Sequence, residues 1–437
     1  MDKQAPLDLY RAHVSALDKG YAVALSAAGF DGVVIHSGTP TKRTNVDDQY
    51  WPLRPTPEFQ HWVPLSEPHC YVIVEAGKKT RLVWPESKDF WERPAAPEAT
   101  HFMSVLDVSR DAAPDLPKGK RYCFIGDDTA RAGTLGIDAT NPPALVAALD
   151  ALRTKKTAYE IACLVEANRR AALGHDAVRR AFEAGACSEL DLHLVYLKAT
   201  RQDDPETPYK NIVALGASAA VLHHVAYGRD ETRAESLLLD AGATYLGYGS
   251  DITRTWARSA ASAGATFAGL VDAMEAMQQR LVSKVALGMP YEALHDESHR
   301  QVSAILREAG VARGSVEEID AQGISRAFYP HGLGHSLGLQ THDVGCALLK
   351  PRKDNPFLRN TSKIEDGQVF TVEPGLYFIE GLLAPLRQTS AGKLVDWNVV
   401  DALAPFGGIR IEDDIFVSSS ATRNMTREVL PKGGGSV

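Results

Sequence analysis

The chain has 437 residues, 44% of them hydrophobic, with 55 acidic and 47 basic side chains and a formal charge of -8. That length accommodates two domains at a typical ~100–200 residues each, and the mild acidity argues against a nucleic-acid or anionic-membrane partner. Cys70, Cys123, Cys163, Cys187 and Cys346 are scattered, odd in number and never in a CxxC pair, a pattern that excludes a disulfide framework and predicts a reducing, cytoplasmic compartment. No apolar run approaches the ~20 residues that span a bilayer. The segment from Met1 to Leu7 leads into no apolar core of a signal peptide.

Leu7, Tyr10, Val14, Leu17 and Tyr21 recur at three-to-four spacing and predict an opening amphipathic helix. Short strands are predicted at Asp31–His36, Tyr71–Val74, Arg81–Trp84 and Arg121–Gly126, so the first part of the chain is a small α/β domain. Between the first two strands, Ser37 to Pro68 forms a long polar-aromatic loop holding Asp47, Asp48, Tyr50, Trp51, Phe59, His61 and Trp62. Its aromatics argue for a functional segment rather than disorder.

Near Asn141-Pro142-Pro143 the pattern changes to long helices, predicted at Ala158–Ala184, Thr266–Leu287 and Tyr291–Ala309. Stretches rich in β-formers follow around 235–258, 368–379 and 407–418. The expected organisation is α+β, with an N-terminal domain over 1–155 and a larger domain over 156–437. The end, Gly434 to Val437, has the composition of a flexible tail.

Ser236 to Trp256 predicts a β-hairpin in which Asp240 interrupts an apolar run. Folding it about Tyr245-Leu246 sets Asp240 opposite Asp251, roughly 5 Å apart at Cβ. Two buried like charges repel, and a shared divalent cation removes that penalty. Further on, His331, His335 and His342 fall in one segment with Gly332, Gly334 and Gly338. Those glycines oppose a helix and predict extended chain aiming imidazoles into a cleft. Glu373 lies within the predicted strand Gln368–Phe378, followed by Pro374. Arg410, Glu412 and Asp414 share one face of a second predicted strand, Gly407–Phe416. Each glutamate alone would be an ordinary salt-bridge partner. Four carboxylates and an imidazole together balance two divalent cations, and oxygen-rich ligation without thiolate suits manganese, cobalt or zinc. Two such ions ~3.5–4 Å apart can activate water and polarise a carbonyl.

At these residues the sequence resembles the pita-bread metallopeptidases, a family that includes prolidases, aminopeptidases P and methionine aminopeptidases. LLLDAG, SDITRTW, HGLGHSLGLQTHD, TVEPGLYF and GGIRIEDD stand in family order. The likeness is closest to the bacterial Xaa-Pro dipeptidases and organophosphorus acid anhydrolases. It extends through HSG at 36–38, DDQYWPL and HWVP, so it covers nearly the whole chain.

The resemblance implies a pita-bread catalytic domain holding two divalent metal ions per subunit, with manganese first and cobalt or zinc as alternatives. It implies metal ligands Asp240, Asp251, His335, Glu373 and Glu412. Glu373 would also carry the proton to the leaving nitrogen, and His342 would stabilise charge on the carbonyl. His223 and Arg410 would bind the substrate carboxylate. Tyr209 and Asp48 would line the pocket for the first side chain, Asp48 coming from a partner subunit in a homodimer, and His331 would contact substrate. The implied activity is hydrolysis of small Xaa-Pro dipeptides, with side activity on organophosphorus esters. Removal of an N-terminal residue preceding proline, as in aminopeptidase P, is the alternative enzyme. A non-catalytic pita-bread binding protein is the alternative outside catalysis.

Overall fold

The computed structural model describes residues 4–46, 48–86, 91, 96–258, 262–431 and 433–436. Met1 to Lys3, Asp47 and Val437, to which the sequence expectations extend, lie outside the described residues. The chain divides into two compact units, Met1–Cys163 and Leu164–Val437.

The N-terminal unit opens with helix α1 (Gln4–Ala28), which buries Tyr10, Val14, Leu17 and Tyr21 as their spacing predicts. Gly29 ends it at φ +71°, and the Phe30 amide bonds back to the Leu25 carbonyl at 3.0 Å. A left-handed residue after a helix is where glycine has no Cβ penalty. Six strands follow: β1 (Gly32–His36), β2 (Tyr71–Glu75), β3 (Arg81–Val83), β4 (Asp107–Ser109), β5 (Tyr122–Ile125) and β6 (Ala139–Thr140). They form one mixed sheet in the order β4-β3-β2-β1-β5-β6, with β1 parallel to β5 and antiparallel to β2. Strands β1, β2 and β5 are buried throughout, which explains their continuous apolar runs. β4 and β6 went unforeseen because two or three residues carry no readable periodicity. Within the predicted loop, Lys42 and Tyr50 form an antiparallel bridge, and the later part packs into the core. Pro57 starts the short helix α2 (Pro57–Trp62), which buries Phe59, His61 and Trp62, while Tyr50 and Trp51 stay exposed. Helices α3 (Ala130–Thr134) and α4 (Pro143–Arg153) complete the unit ahead of α5 (Ala158–Ala184).

In the C-terminal unit, helix α6 (Glu189–Thr200) precedes strands β7 (Ile212–Leu215), β8 (Ser236–Asp240), β9 (Thr244–Tyr245), β10 (Tyr248–Gly249) and β11 (Thr253–Ala257). Helices α7 (Ser262–Ser283) and α8 (Tyr291–Glu308) come next. α7 ends four residues short of the prediction, because its last turn tightens to bonds from Lys284 to Leu281 and from Val285 to Val282. Phe267, Leu270, Val271, Met274 and Leu281 line its buried face. They share a core with Leu294, Val302 and Leu306 of α8 and with Phe370, Val372, Ile409 and Ile415 from the later strands.

Both glutamate strands are broken where one continuous strand was expected. β12 (Val369–Val372) and β13 (Gly375–Tyr377) flank Glu373 and Pro374, while β14 (Gly408–Arg410) and β15 (Asp413–Val417) flank Ile411 and Glu412. Proline has no amide to continue a ladder, so each half pairs with a different partner: β12 with β15, and β13 with β14. β16 (Thr422–Asn424) edges β15. The tail is not free either, since β17 (Gly435–Ser436) pairs in parallel with Trp256 and Ala257 of β11.

Candidate metal centre

The centre is assembled by three chain segments. The first is the β8–β11 hairpin, whose register differs from the prediction: Asp240 faces Thr253, not Asp251. The tip centres on Leu246 and Gly247, both left-handed at φ +50° and +91°, so the fold line moves by one residue and Asp240's partner by two. Asp251 falls just outside β11 and still meets Asp240 through a third side chain. The Tyr209 hydroxyl lies 2.7 Å from Asp240 Oδ1 and 2.5 Å from Asp251 Oδ1.

The second segment is the glycine-rich run, which is extended as predicted and laid against β12. The Thr371 amide donates to the His335 carbonyl at 2.9 Å there, and the His335 amide donates to the Thr371 hydroxyl at 3.2 Å. Gly334 is dictated by that approach, because a Cβ would stand 2.1 Å from the Thr371 carbonyl oxygen. His335 Nδ1 faces the Ser336 carbonyl at 3.1 Å and must donate to it. That leaves Nε2 directed at carboxylates: 3.3 Å from Asp251, 3.6 Å from Glu373 and 3.9 Å from Glu412. A carbonyl that fixes the tautomer of an imidazole is the usual outer support of a metal ligand. The third segment is the β13–β14 pair with the two breaks. The breaks release Glu373 and Glu412 from the ladder. Glu412 is pinned by the Thr253 hydroxyl at 2.6 Å.

The electrostatics favour positive charge at the centre of the cluster. Burial pushes Glu412 far above the usual carboxylate range, aided by Asp251 and Glu373, and raises Asp251 as well. Glu373 is raised to about 7 by burial, against the pull of His335 and Arg410. Burial would lower His335, but contacts with Asp251 and Glu373 raise it to about 9. Glu412 Oε1 is buried without a hydrogen-bond donor. Asp251, His335 and Glu412 each offer a donor atom within 4.8 Å of the others. This oxygen-rich, thiolate-free donor set fits a divalent ion of the manganese, cobalt or zinc kind.

Other expected residues gather beside this cluster. Arg410 is buried and donates to Asp240 at 2.6 Å, the Tyr377 hydroxyl at 2.7 Å and the Thr253 hydroxyl at 3.2 Å. Asp414 accepts instead from the Asn168 amide and the Asp251 backbone, so Arg410 and Asp414 do not pair. His331 Nε2 meets the Tyr377 hydroxyl at 2.8 Å, while its Nδ1 is 3.8 Å from Glu373. Burial and the Arg410 charge hold His331 neutral, near 3. His342 stands edge-on to His335 with ring centroids 4.5 Å apart. His223 is exposed and near enough to influence His331 and His342 electrostatically. Asp48 is exposed in the N-terminal unit.

Sequence reasoning missed Tyr377, which links Arg410 to His331, and Thr253, which links Arg410 to Glu412. The available signal was the run Thr253-Arg254-Thr255, three polar residues in a strand that the structure buries completely.

A buried carboxylate cluster around one imidazole, carried on these broken strands, defines a metal-dependent hydrolase with a pita-bread C-terminal unit. The chain belongs to metallopeptidase family M24, whose profile matches residues 162–419. The profile of the Xaa-Pro dipeptidase N-terminal domain matches residues 8–151. The chain is 40% identical over 439 residues to a protein of Pseudoalteromonas atlantica named Xaa-Pro dipeptidase, covering 97% of this chain and 98% of the relative. A Shewanella oneidensis protein of the same name is 40% identical over 96% of this chain and 98% of its own length. Among solved structures, Yersinia pestis proline aminopeptidase P II superposes with a TM-score of 0.69 at 24% identity, covering 94% of this chain and 96% of that one. Escherichia coli aminopeptidase P with a His354Ala substitution gives 0.70 at 21%, over 95% and 96%. At that identity, the two structures speak for the fold alone.

Proposed function

We propose that this chain hydrolyses Xaa-Pro dipeptides at a centre of two divalent metal ions, manganese first and cobalt or zinc otherwise. The observation that carries the reading is the convergence of Asp251, Glu373 and Glu412 on His335 Nε2 in a buried site, within a chain of this family. Asp240, bridged to Asp251 by Tyr209, completes the ligand set. Two such ions supply an activated water and a polarised carbonyl. With the ions bound, Glu373 would take a proton from the attacking water and return it to the leaving nitrogen, and His342 would donate toward the carbonyl oxygen as charge develops there. His331, neutral and tied to Tyr377, contacts the substrate with its ring.

For the substrate carboxylate, His223 is the exposed donor, whereas the Arg410 fork is engaged by Asp240 and Tyr377. His223→Ala should therefore lose activity on Ala-Pro but little on Ala-Pro-amide, while Arg410→Ala loses on both. The decisive assay compares Ala-Pro with Ala-Pro-Ala, before and after chelation. Activity should vanish on metal removal and return with manganese, with the dipeptide preferred. A preference for the tripeptide would move the chain to the aminopeptidase P reaction, and full activity in metal-free protein would overturn the reading. Side activity on organophosphorus esters belongs to the same proposal and is measured on the same metal-loaded enzyme.

The working form is a homodimer in the cytoplasm, with Asp48 brought by the partner to line the first-residue pocket beside Tyr209. Val46 and Trp51, 98% and 58% exposed, are the apolar contribution of that loop, and no disulfide joins the cysteines among the described residues, in keeping with a reducing compartment. Light scattering at assay concentration should give twice the chain mass. A fully active monomer would refute the assembly.

A further inference from the structure

A second cluster of ligand-type side chains lies in the N-terminal unit. His13 comes from α1, His61 from α2 and Glu160 from the first turn of α5, and all three are at most 2% exposed. Their ligand atoms lie within 4.8 Å of one another. His61 Nε2 is 3.5 Å from Glu160 Oε1, and His13 Nδ1 is 3.9 Å from Oε2. Zinc bonds of ~2.0–2.2 Å in tetrahedral array place neighbouring donor atoms roughly 3.3–3.6 Å apart. The three groups therefore stand within a small contraction of that geometry.

The tautomers favour ligation. His13 Nε2 is 2.7 Å from the His61 carbonyl, which can only accept, so Nδ1 keeps its lone pair. That bond also ties one ligand to the backbone of another, as outer supports of metal histidines do. Both ring nitrogens of His61 are buried and, among the described residues, make no hydrogen bond of good geometry, Nε2 standing at a loose 3.5 Å from Glu160 Oε1. Glu160 has an ordinary duty, since its Oε2 accepts from the Thr157 amide at 2.8 Å as half of a capping box. That duty leaves Oε1 and the His61 ring that faces it without an ordinary structural role. Lys156 is the cation whose charge already reaches Glu160, and a bound ion would share the carboxylate with it.

We propose that His13, His61 and Glu160 form a structural site for one tetrahedral divalent transition metal of the zinc class, taken up as the N-terminal unit folds. Water or the Thr157 hydroxyl, 2.8 Å from His13 Nδ1, fills the fourth corner. The site owes nothing to the hydrolytic centre and stands whether or not that centre is as proposed.

The test measures metal per chain in full-length protein from zinc-supplemented culture. Glu160→Gln preserves shape and the carbonyl that caps Thr157, so the fold should hold by circular dichroism. Wild type should carry about one more zinc per chain than Glu160→Gln or His61→Phe. Ala-Pro hydrolysis should be unchanged in both. In a chain whose C-terminal centre is disabled by Asp251→Ala and Glu412→Ala, about one zinc should remain and give cobalt-substituted protein a tetrahedral visible spectrum. Equal zinc in wild type and Glu160→Gln, or a disabled chain with an intact N-terminal fold and no metal, would overturn the proposal and leave a buried polar cluster only.

Discussion

Glu373→Gln is expected to lower kcat on Ala-Pro by about 10²–10⁴-fold, the range for loss of a positioned general acid–base, with KM little changed. The substitution keeps the volume and one oxygen but cannot take up a proton. Glu373 is placed for that role by the break at Pro374, which frees it from the ladder between Val372 and Gly375. One carboxylate oxygen lies 3.6 Å from His335 and the other 3.8 Å from His331. From between the two imidazoles this carboxylate is placed to accept a proton and return it. Because Glu373 is also a proposed ligand, metal content must be measured alongside the rate. A fall in kcat with full metal content is the expected result, since removing a group used only in the transition state lowers kcat and kcat/KM together. Less than a tenfold loss with metal intact would remove Glu373 from proton transfer and leave it a ligand only.

The parts legible in the sequence were those set by local physics. The three-to-four spacing of α1 and the apolar runs of β1, β2 and β5 each act within one element, and all appear where expected. The glycines around His335 were read correctly as a bar to helix, although their specific cause, the approach of Gly334 to Thr371, is tertiary. Errors arose where pairing decides. Asp240 and Asp251 were matched by assuming a turn at Tyr245-Leu246, and one residue of displacement at Gly247 changed the partner. Pro374 is plain in the sequence, yet its consequence, two strands with two partners, requires knowing where β14 and β15 lie. Tyr209 was assigned from family likeness to a side-chain pocket, and its bonds to both aspartates are invisible to any periodicity. The run Thr253-Arg254-Thr255 flags an unusual strand, but the partners of Arg254 on Glu412 and Asp413 are set by tertiary pairing.

Arg254→Met should destabilise the protein by about 3–5 kcal/mol, the cost of removing one partner from a buried ion pair. Arg254 and Asp413 are both fully buried and meet at 2.8 Å. The same guanidinium donates to the Thr253 and Glu412 carbonyls at 2.9 and 2.8 Å, across the lone bridge that joins β11 to the glutamate break. Methionine fills the volume but leaves two carbonyls and a carboxylate short of a donor. Asp413 retains Arg427 and Asn424, each at 2.7 Å, so the loss should sit toward the lower end. The check is a lower urea midpoint with an unchanged m-value. Acid provides a second readout. Burial alone would raise Asp413, but Arg254 and Arg427 hold its carboxyl down at about 2, against ~3.9 in an unfolded chain. A carboxyl depressed on folding contributes stability that is present above pH ~4 and is lost as pH falls through 2. In Arg254→Met the folded value rises, so this contribution shrinks and the mutant's deficit should be largest above pH 4 and narrow below it. A deficit that is constant from pH 6 to about 2 would show that the lost carbonyl bonds, not the ion pair, carry the effect. Because those carbonyls include that of Glu412, a drop in metal affinity should accompany the change in either case.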